Sequence, residues 1–165
     1  MEEIRNDEFY MREALKLAEK AAEIEEAPIG CVVVLDGEII GRGYNRREID
    51  GNPLAHAELL AIDEARHHVK GWRLCDADLY VTLEPCPMCA GACINSRIRR
   101  VIFGADDMKA GSCGSVTNLF ELPYNHKPEI TRGVLKEECG EILSRFFKSL
   151  RERNKARKNS ENVEI

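Results

Sequence analysis

Two short segments of this 165-residue chain carry side chains that can ligate a metal ion. His56, Ala57 and Glu58 form one segment, and Cys86 and Cys89 form a CxxC pair flanked by prolines. Cysteines three positions apart at the start of a helix face the same side, where both thiolates can hold one ion. A nitrogen ligand from His56 would complete a set of three, and nitrogen and sulfur ligands together suit zinc.

The number of ligands separates a catalytic zinc site from a structural one. A structural site is closed by four protein ligands, whereas a catalytic site keeps one position for water. Cys93 is the nearest candidate for a fourth ligand, and we expect it to pack against the sheet instead. Glu58 lies two residues from His56, so its carboxyl group could carry a proton beside the metal without ligating it. The pattern therefore predicts a catalytic centre.

These segments need a scaffold that brings them together, and the sequence predicts alternating helices and strands. Helical periodicity predicts four helices, at 6–27, 55–69, 85–95 and from Val134 onward. Runs rich in β-branched residues predict strands on both sides of a turn at Asp36 and Gly37, and at 77–83, 100–104 and 129–132. The strand–helix–strand order favours parallel crossovers. We predict a three-layer α/β/α sandwich with a mixed central sheet of about five strands.

Length and composition restrict the class of protein. A chain of 165 residues fits one domain, and 44% apolar with 32% charged residues is typical of a globular protein. The longest apolar run, 29–35, is far shorter than the ~20 residues of a membrane span. The acidic segment 1–3 is not the start of a secretory signal, which predicts a cytoplasmic protein without a membrane partner. Seven cysteines, an odd number, argue against a disulfide framework.

The two metal-ligating segments together resemble the H-x-E…P-C-x-x-C signature of zinc deaminases. The wider match runs from about Asp7 to about Lys158 and includes APIGCVVV, GRGYNRR, HAELLAI, LYVTLEPCPMCAGACINSRI, VIFGADDMKAGSCGSV and FFKSLRERNKARK. On these residues the chain resembles the bacterial tRNA-specific adenosine deaminases of the cytidine/deoxycytidylate deaminase superfamily, whose fold matches the predicted sandwich. The zinc signature alone indicates the superfamily, whereas the DDMKAGSCGS loop and the basic end favour the tRNA enzymes.

The resemblance implies roles for individual residues at the catalytic centre. His56, Cys86 and Cys89 would bind one zinc ion per subunit. Glu58 would be the catalytic proton shuttle, with a catalytic water as the other reactant.

The resemblance also implies a set of substrate-binding residues. Asn45 matches a position that hydrogen-bonds the target nucleoside, and Asp107 matches one beside the anticodon loop that contacts the target ribose. Ala57 and Pro85 would line the pocket next to the ligands. Without the resemblance, Asn45 reads as a turn residue after a strand, and Asp107 reads as a solvated acid in a loop.

The implied reaction is hydrolytic deamination of adenosine to inosine at the wobble position of a tRNA anticodon loop, by a cytoplasmic homodimer. One alternative is a deaminase of the same fold that acts on a free base or nucleotide, such as guanine, cytosine or deoxycytidylate. A second alternative is a structural-zinc module that binds RNA without catalysis. The basic C-terminal end favours the tRNA reading, because a small substrate has no use for it.

Charge is unevenly distributed along the chain. The overall net charge of −5 and the pI of about 5.5 disfavour nucleic-acid binding when taken alone. Residues 1–26 carry net −5, whereas residues 145–158 carry net +6. We therefore predict a zinc-dependent deaminase domain over 1–150 and a basic helical extension and tail over 151–165. The predicted phosphate contacts on the anticodon stem-loop are Arg145, Lys148, Arg151, Arg153 and Lys155.

Overall fold

The first strand shows why the sheet must be covered on both faces. Along β1 (Gly30–Leu35), Cys31 and Val33 belong to one buried cluster, whereas Val32 and Val34 belong to another. Successive side chains of a strand point to opposite faces, so a strand buried along its length needs packing on both sides. The computed structural model, which describes residues 4–163, has that arrangement. The predicted acidic start (1–3) and the end of the predicted tail (164–165) lie outside the described residues.

The central sheet has five strands in the order β2-β1-β3-β4-β5. The remaining strands are β2 (Glu38–Tyr44), β3 (Asp78–Leu83), β4 (Arg100–Ala105) and β5 (Glu129–Arg132). β1 runs antiparallel to both of its neighbours, whereas β3, β4 and β5 are mutually parallel. The predicted mixed sheet of about five strands is therefore confirmed.

Four helices complete three layers around this sheet. They are α1 (Asp7–Glu23), α2 (Ala57–Val69), α3 (Pro87–Asn95) and α4 (Lys136–Glu161). α1 and α4 cover one face, and α2 and α3 cover the other together with a short 3-10 turn at Leu119–Glu121. This confirms the α/β/α sandwich. Within residues 4–163 no helix is both long enough and apolar enough to cross a membrane.

The chain reversals confirm one prediction and correct another. Asp36 and Gly37 both have positive φ, at 51° and 78°, as the predicted type I′ hairpin turn requires. The first helix ends at Glu23, however, and not near residue 27. Glu25 adopts a left-handed conformation with φ of 62°, and the Glu26 carboxylate is buried where it accepts the Ile49 backbone N–H at 2.6 Å. The chain therefore leaves the helix early to bind the loop after β2.

Two glycines of β2 allow α2 to lie directly on the sheet. A Cβ at Gly43 would lie 2.2 Å from the carbonyl oxygen of Ala57, and one at Gly41 would lie 2.1 Å from that of Ala61. Both distances are far shorter than any van der Waals contact, so only glycine fits. The close approach fixes the start of α2, where the first of the two metal-ligating segments lies.

Candidate active site and metal centre

The three predicted ligands come from the N-terminal ends of two helices. His56 is the N-cap residue of α2, Cys86 is the N-cap residue of α3, and Cys89 lies in the first turn of α3. Pro87 occupies the first helical position, where its missing N–H leaves no hydrogen bond unmade. The helix N-terminus carries a partial positive charge that stabilises thiolates, the form of cysteine that binds metals.

The distances between the ligand atoms fit a zinc ion. His56 Nδ1 lies 3.6 Å from Cys86 Sγ and 3.5 Å from Cys89 Sγ, and the three atoms all lie within 4.8 Å of one another. Tetrahedral zinc with Zn–N of about 2.0–2.1 Å and Zn–S of about 2.3 Å separates its nitrogen and sulfur ligands by about 3.6 Å. Of residues 4–163, these are the ones grouped closely enough to share an ion. Three protein ligands leave a fourth position for water or substrate.

The electrostatics of the two cysteines also favour a bound cation. A hydrogen bond from Cys89 and the neighbouring His56 lower the pKa of Cys86 to about 4. The same hydrogen bond and burial raise the pKa of Cys89. Two adjacent thiolates repel each other, so a divalent ion is what allows both to be ionised.

Glu58 lies beside this centre as a buried acid outside the group of ligands. Its side chain is 4% exposed, and burial raises the pKa of Glu58 to about 7. A carboxyl group with a pKa near neutrality can both accept and release a proton, as general acid–base catalysis requires. Cys93 is wholly buried in the core between α3 and the sheet, with Cys31 and Cys113, as expected for a packing residue.

A cleft of about 240 Å³ opens over these residues. The structure brings the predicted substrate residues Asn45, Ala57 and Asp107 into its lining together with His56 and Glu58. Such a volume lies below the range of about 300–1,000 Å³ that is usual for drug-sized ligands, so the cleft suits a small group.

Pro85 is placed differently from the other predicted pocket residues. It is buried behind the wall of the cleft, where its carbonyl oxygen accepts the Ser112 backbone N–H at 2.9 Å. The side chain of Asn45 makes two hydrogen bonds to backbone groups. Its amide donates to the Ala27 carbonyl oxygen at 3.3 Å, and its Oδ1 accepts the Arg47 N–H at 3.1 Å.

Several lining residues were not predicted from the sequence, and they are Ala27, Ile29, Arg47, Leu83, Glu84, Ala110 and Phe147. Phe147 reaches the cleft from α4, where the sequence pattern places it on the apolar side of the helix, yet it is 42% exposed. Glu84 did carry a signal, because it directly follows an apolar strand, and acids are almost never fully buried unless they are paired.

The predicted phosphate-binding residues divide between two sides of α4. Arg145 lies 3.7 Å from Glu19 and Arg153 lies 2.6 Å from Glu25, both on the side that faces α1. Lys148 is exposed. Arg151 and Lys155 belong to a second, outward-facing set, here called the basic stripe, of Arg151, Asn154, Lys155, Lys158, Asn159 and Asn162. Spacings of three and four residues place this set along one side of the helix.

Comparison with known proteins identifies the family of this chain. A model of the MafB19-like deaminase family matches residues 5–151. The tRNA-specific adenosine deaminase of Bacillus subtilis (strain 168) is 56% identical over 155 residues, which cover 93% of this chain and 96% of the relative.

Solved structures resemble the chain as well. A structure from a study of A-to-I editing by tRNA:A34 deaminases is 44% identical with a TM-score of 0.79, over 81% of this chain and 98% of that one. The guanine deaminase of Nitrosomonas europaea shares the fold at 22% identity and a TM-score of 0.76, over 88% and 86% of the two chains. The resemblance to bacterial tRNA-specific adenosine deaminases is thus confirmed, and the chain belongs to the MafB19-like deaminase family.

Proposed function

We propose that this protein hydrolyses adenosine to inosine at the wobble position of a tRNA anticodon loop, with one zinc ion held by His56, Cys86 and Cys89. The observation that carries the chemistry is the grouping of three ligand atoms and a buried carboxyl group in one cleft. The substrate is supported by the relative of 56% identity, which is named a tRNA-specific adenosine deaminase. A structural-zinc module would need a fourth protein ligand and would have no use for Glu58.

Each residue of the cleft has a separate role in the proposed reaction. Zinc, when bound, would supply Lewis-acid chemistry that lowers the pKa of a water molecule to about 7. Glu58 takes a proton from the attacking water and delivers it to the amino group that leaves C6 of adenine as ammonia. Asn45, whose amide orientation is fixed by two backbone groups, orients the base. Ala57 lines the cleft next to the ligands.

The basic stripe is the proposed contact for the phosphates of the stem-loop. Its charges are exposed and aligned, so they can follow a nucleic-acid backbone. Lys148 lies three residues before Arg151 and extends the same side of α4. Arg145 and Arg153 can contact phosphates only after their ion pairs with Glu19 and Glu25 are broken. Breaking an exposed ion pair costs about 0–1 kcal/mol.

The division at residue 150 is proposed as a functional one. α4 is continuous from Lys136 to Glu161, so the basic extension is the outer part of a helix whose inner part packs on the sheet. The resemblance to the tRNA enzymes supports the proposed homodimeric state. It also supports the proposed cytoplasmic location, because tRNA is used by the translation machinery in the cytoplasm.

The decisive experiment compares RNA and free-base substrates. The zinc-loaded protein is incubated with an anticodon stem-loop that has adenosine at the wobble position, and inosine is measured by nuclease digestion and mass spectrometry. Ammonia release from free guanine and from free cytosine is measured in parallel. We expect inosine from the stem-loop and none from the same loop with guanosine at that position. Turnover of the free bases alone would overturn the proposal.

A further inference from the structure

Glu84 lies outside the predicted site, yet it is the hydrogen-bond centre of the loop that carries Asp107. The side chain is 2% exposed and follows directly after β3. A carboxylate is costly to bury unless several donors satisfy it. The structure supplies those donors from one segment, residues 106–115, here called the Asp107 loop.

Each carboxylate oxygen of Glu84 accepts two hydrogen bonds. Oε1 accepts the backbone N–H of Asp107 at 3.3 Å and the hydroxyl of Ser115 at 2.5 Å. Oε2 accepts the backbone N–H groups of Cys113 and Ser115, each at 3.1 Å. One carboxylate thus joins the beginning and the end of the loop.

The fit around the carboxylate leaves no spare room. A Cβ at Gly111 would lie 2.3 Å from Glu84 Oε2, so the middle of the loop closes directly over the acid. The Gly111 N–H in turn donates to the Asp107 carbonyl oxygen at 2.8 Å. The loop therefore wraps around Glu84 rather than around a core of its own.

The same strand end also carries a metal ligand. The Glu84 backbone N–H donates to the Ala105 carbonyl oxygen at 2.9 Å, and the Pro85 carbonyl oxygen accepts the Ser112 N–H at 2.9 Å. Cys86 follows at once as the N-cap of α3. The three consecutive residues 84–86 therefore contact the Asp107 loop on one side and supply a candidate metal ligand on the other.

A second attachment of the loop lies at the surface. Asp106 accepts hydrogen bonds from Arg132 at 2.9 Å and Lys136 at 3.0 Å. Both cations are about half exposed, and solvent screening keeps such pairs weak. The buried attachment at Glu84 is therefore the stronger of the two.

We propose that Glu84 is a positioning residue, which sets the distance between the metal centre and Asp107 by holding the backbone N–H of Asp107. The part of this inference that concerns the bound nucleoside rests on the proposed function. The part that concerns the order of the loop does not.

The test is Glu84→Gln, which keeps the shape of the side chain. The new amide can face the Ser115 hydroxyl, which can turn to accept it, but the Asp107 N–H then faces a donor. Losing a hydrogen bond to a charged group should make amide hydrogen exchange in 106–115 about tenfold faster and leave the rest of the chain unchanged. The KM for the stem-loop should rise about tenfold, with kcat changed less than about threefold and zinc content the same.

Two further variants complete the experiment. Ser115→Ala removes only the hydroxyl, so we expect faster amide hydrogen exchange in the same residues 106–115 and a smaller rise in KM. If Glu84→Gln does not fold, this variant provides the test instead. Glu38→Gln, an exposed acid paired with Arg5, is the matched control and should change neither quantity.

Three outcomes would overturn the proposal. They are unchanged exchange in 106–115, a fall in kcat at constant KM, and loss of zinc with faster exchange throughout the chain. If the wild-type protein does not deaminate the stem-loop while exchange in the loop still responds to Glu84→Gln, the proposed function fails and the positioning role stands.

Discussion

The candidate metal centre and the basic stripe are held in place in opposite ways. His56 and Glu58 sit at the start of a helix that lies directly on two glycines of β2, and Cys89 is fully buried. The basic stripe projects from the outer part of α4, where every side chain is exposed. Proton transfer requires atoms fixed to a fraction of an ångström, whereas attraction to phosphate acts over several ångströms of screened solvent. Substitutions in the first region should therefore change stability, turnover or both, and substitutions in the second should change affinity.

The largest expected effect is that of Cys86→Ser. Loss of a thiolate should abolish stoichiometric zinc and lower the melting temperature by at least about 5 °C, because metal-binding free energy contributes to folding. Metal analysis and thermal unfolding with and without chelator measure both. Cys75→Ser is the matched control, since Cys75 is exposed and lies outside the cleft. Equal melting temperatures with and without chelator in the wild-type protein would contradict the prediction.

Glu58→Gln should separate chemistry from structure within the metal centre. We expect kcat to fall by about 10²–10⁴-fold, because the proton shuttle is lost, while zinc content and melting temperature stay the same. Single-turnover inosine formation on the stem-loop is the measurement. Glu64→Gln, on the exposed side of the same helix, should behave as wild type. Normal turnover by Glu58→Gln would remove this residue from the mechanism.

Gly43→Ala tests whether the sheet positions the centre. The added Cβ would collide with the Ala57 carbonyl oxygen, so α2 must shift. Such overpacking costs about 1–3 kcal/mol of unfolding free energy, and the displaced His56 and Glu58 should lower kcat as well. Denaturant unfolding and turnover are measured together. Gly140→Ala, at a helical glycine with open space around it, should leave both unchanged or raise stability slightly.

The smallest effect is expected from the basic stripe. Lys155→Gln with Lys158→Gln should weaken stem-loop binding and reduce the slope of log affinity against log salt by about 0.7–0.9 for each lost contact. The kcat at saturating RNA should not change. Arg153→Gln is the comparison on the other side of α4, and its effect should be smaller because Arg153 is already paired with Glu25. If the wild type, the double variant and Arg153→Gln all had the same salt slope, the basic stripe would make no phosphate contacts and the prediction would be wrong.

The grouping of the three candidate metal ligands with Glu58 could be predicted from the sequence because its signal is local. Cys86 and Cys89 are one helical turn apart, and His56 and Glu58 are two residues apart, so residue type and spacing carry the information. The hairpin at Asp36 and Gly37 was predictable for the same reason. The end of the first helix was not, because Glu26 leaves it to bind a backbone group 23 residues away.

What the sequence by itself determined is which side chains form the candidate site, since the types and spacing of three candidate ligands and a nearby acid are properties of short segments. The tertiary structure decided which other residues join that chemistry. Glu84 gathers donors from residues 23 to 31 positions later, and Phe147 reaches the cleft from the last helix. It also decided which basic residues of α4 face α1 and which face solvent. These outcomes depend on how helices dock on the sheet, and docking is set by contacts between residues far apart in the chain.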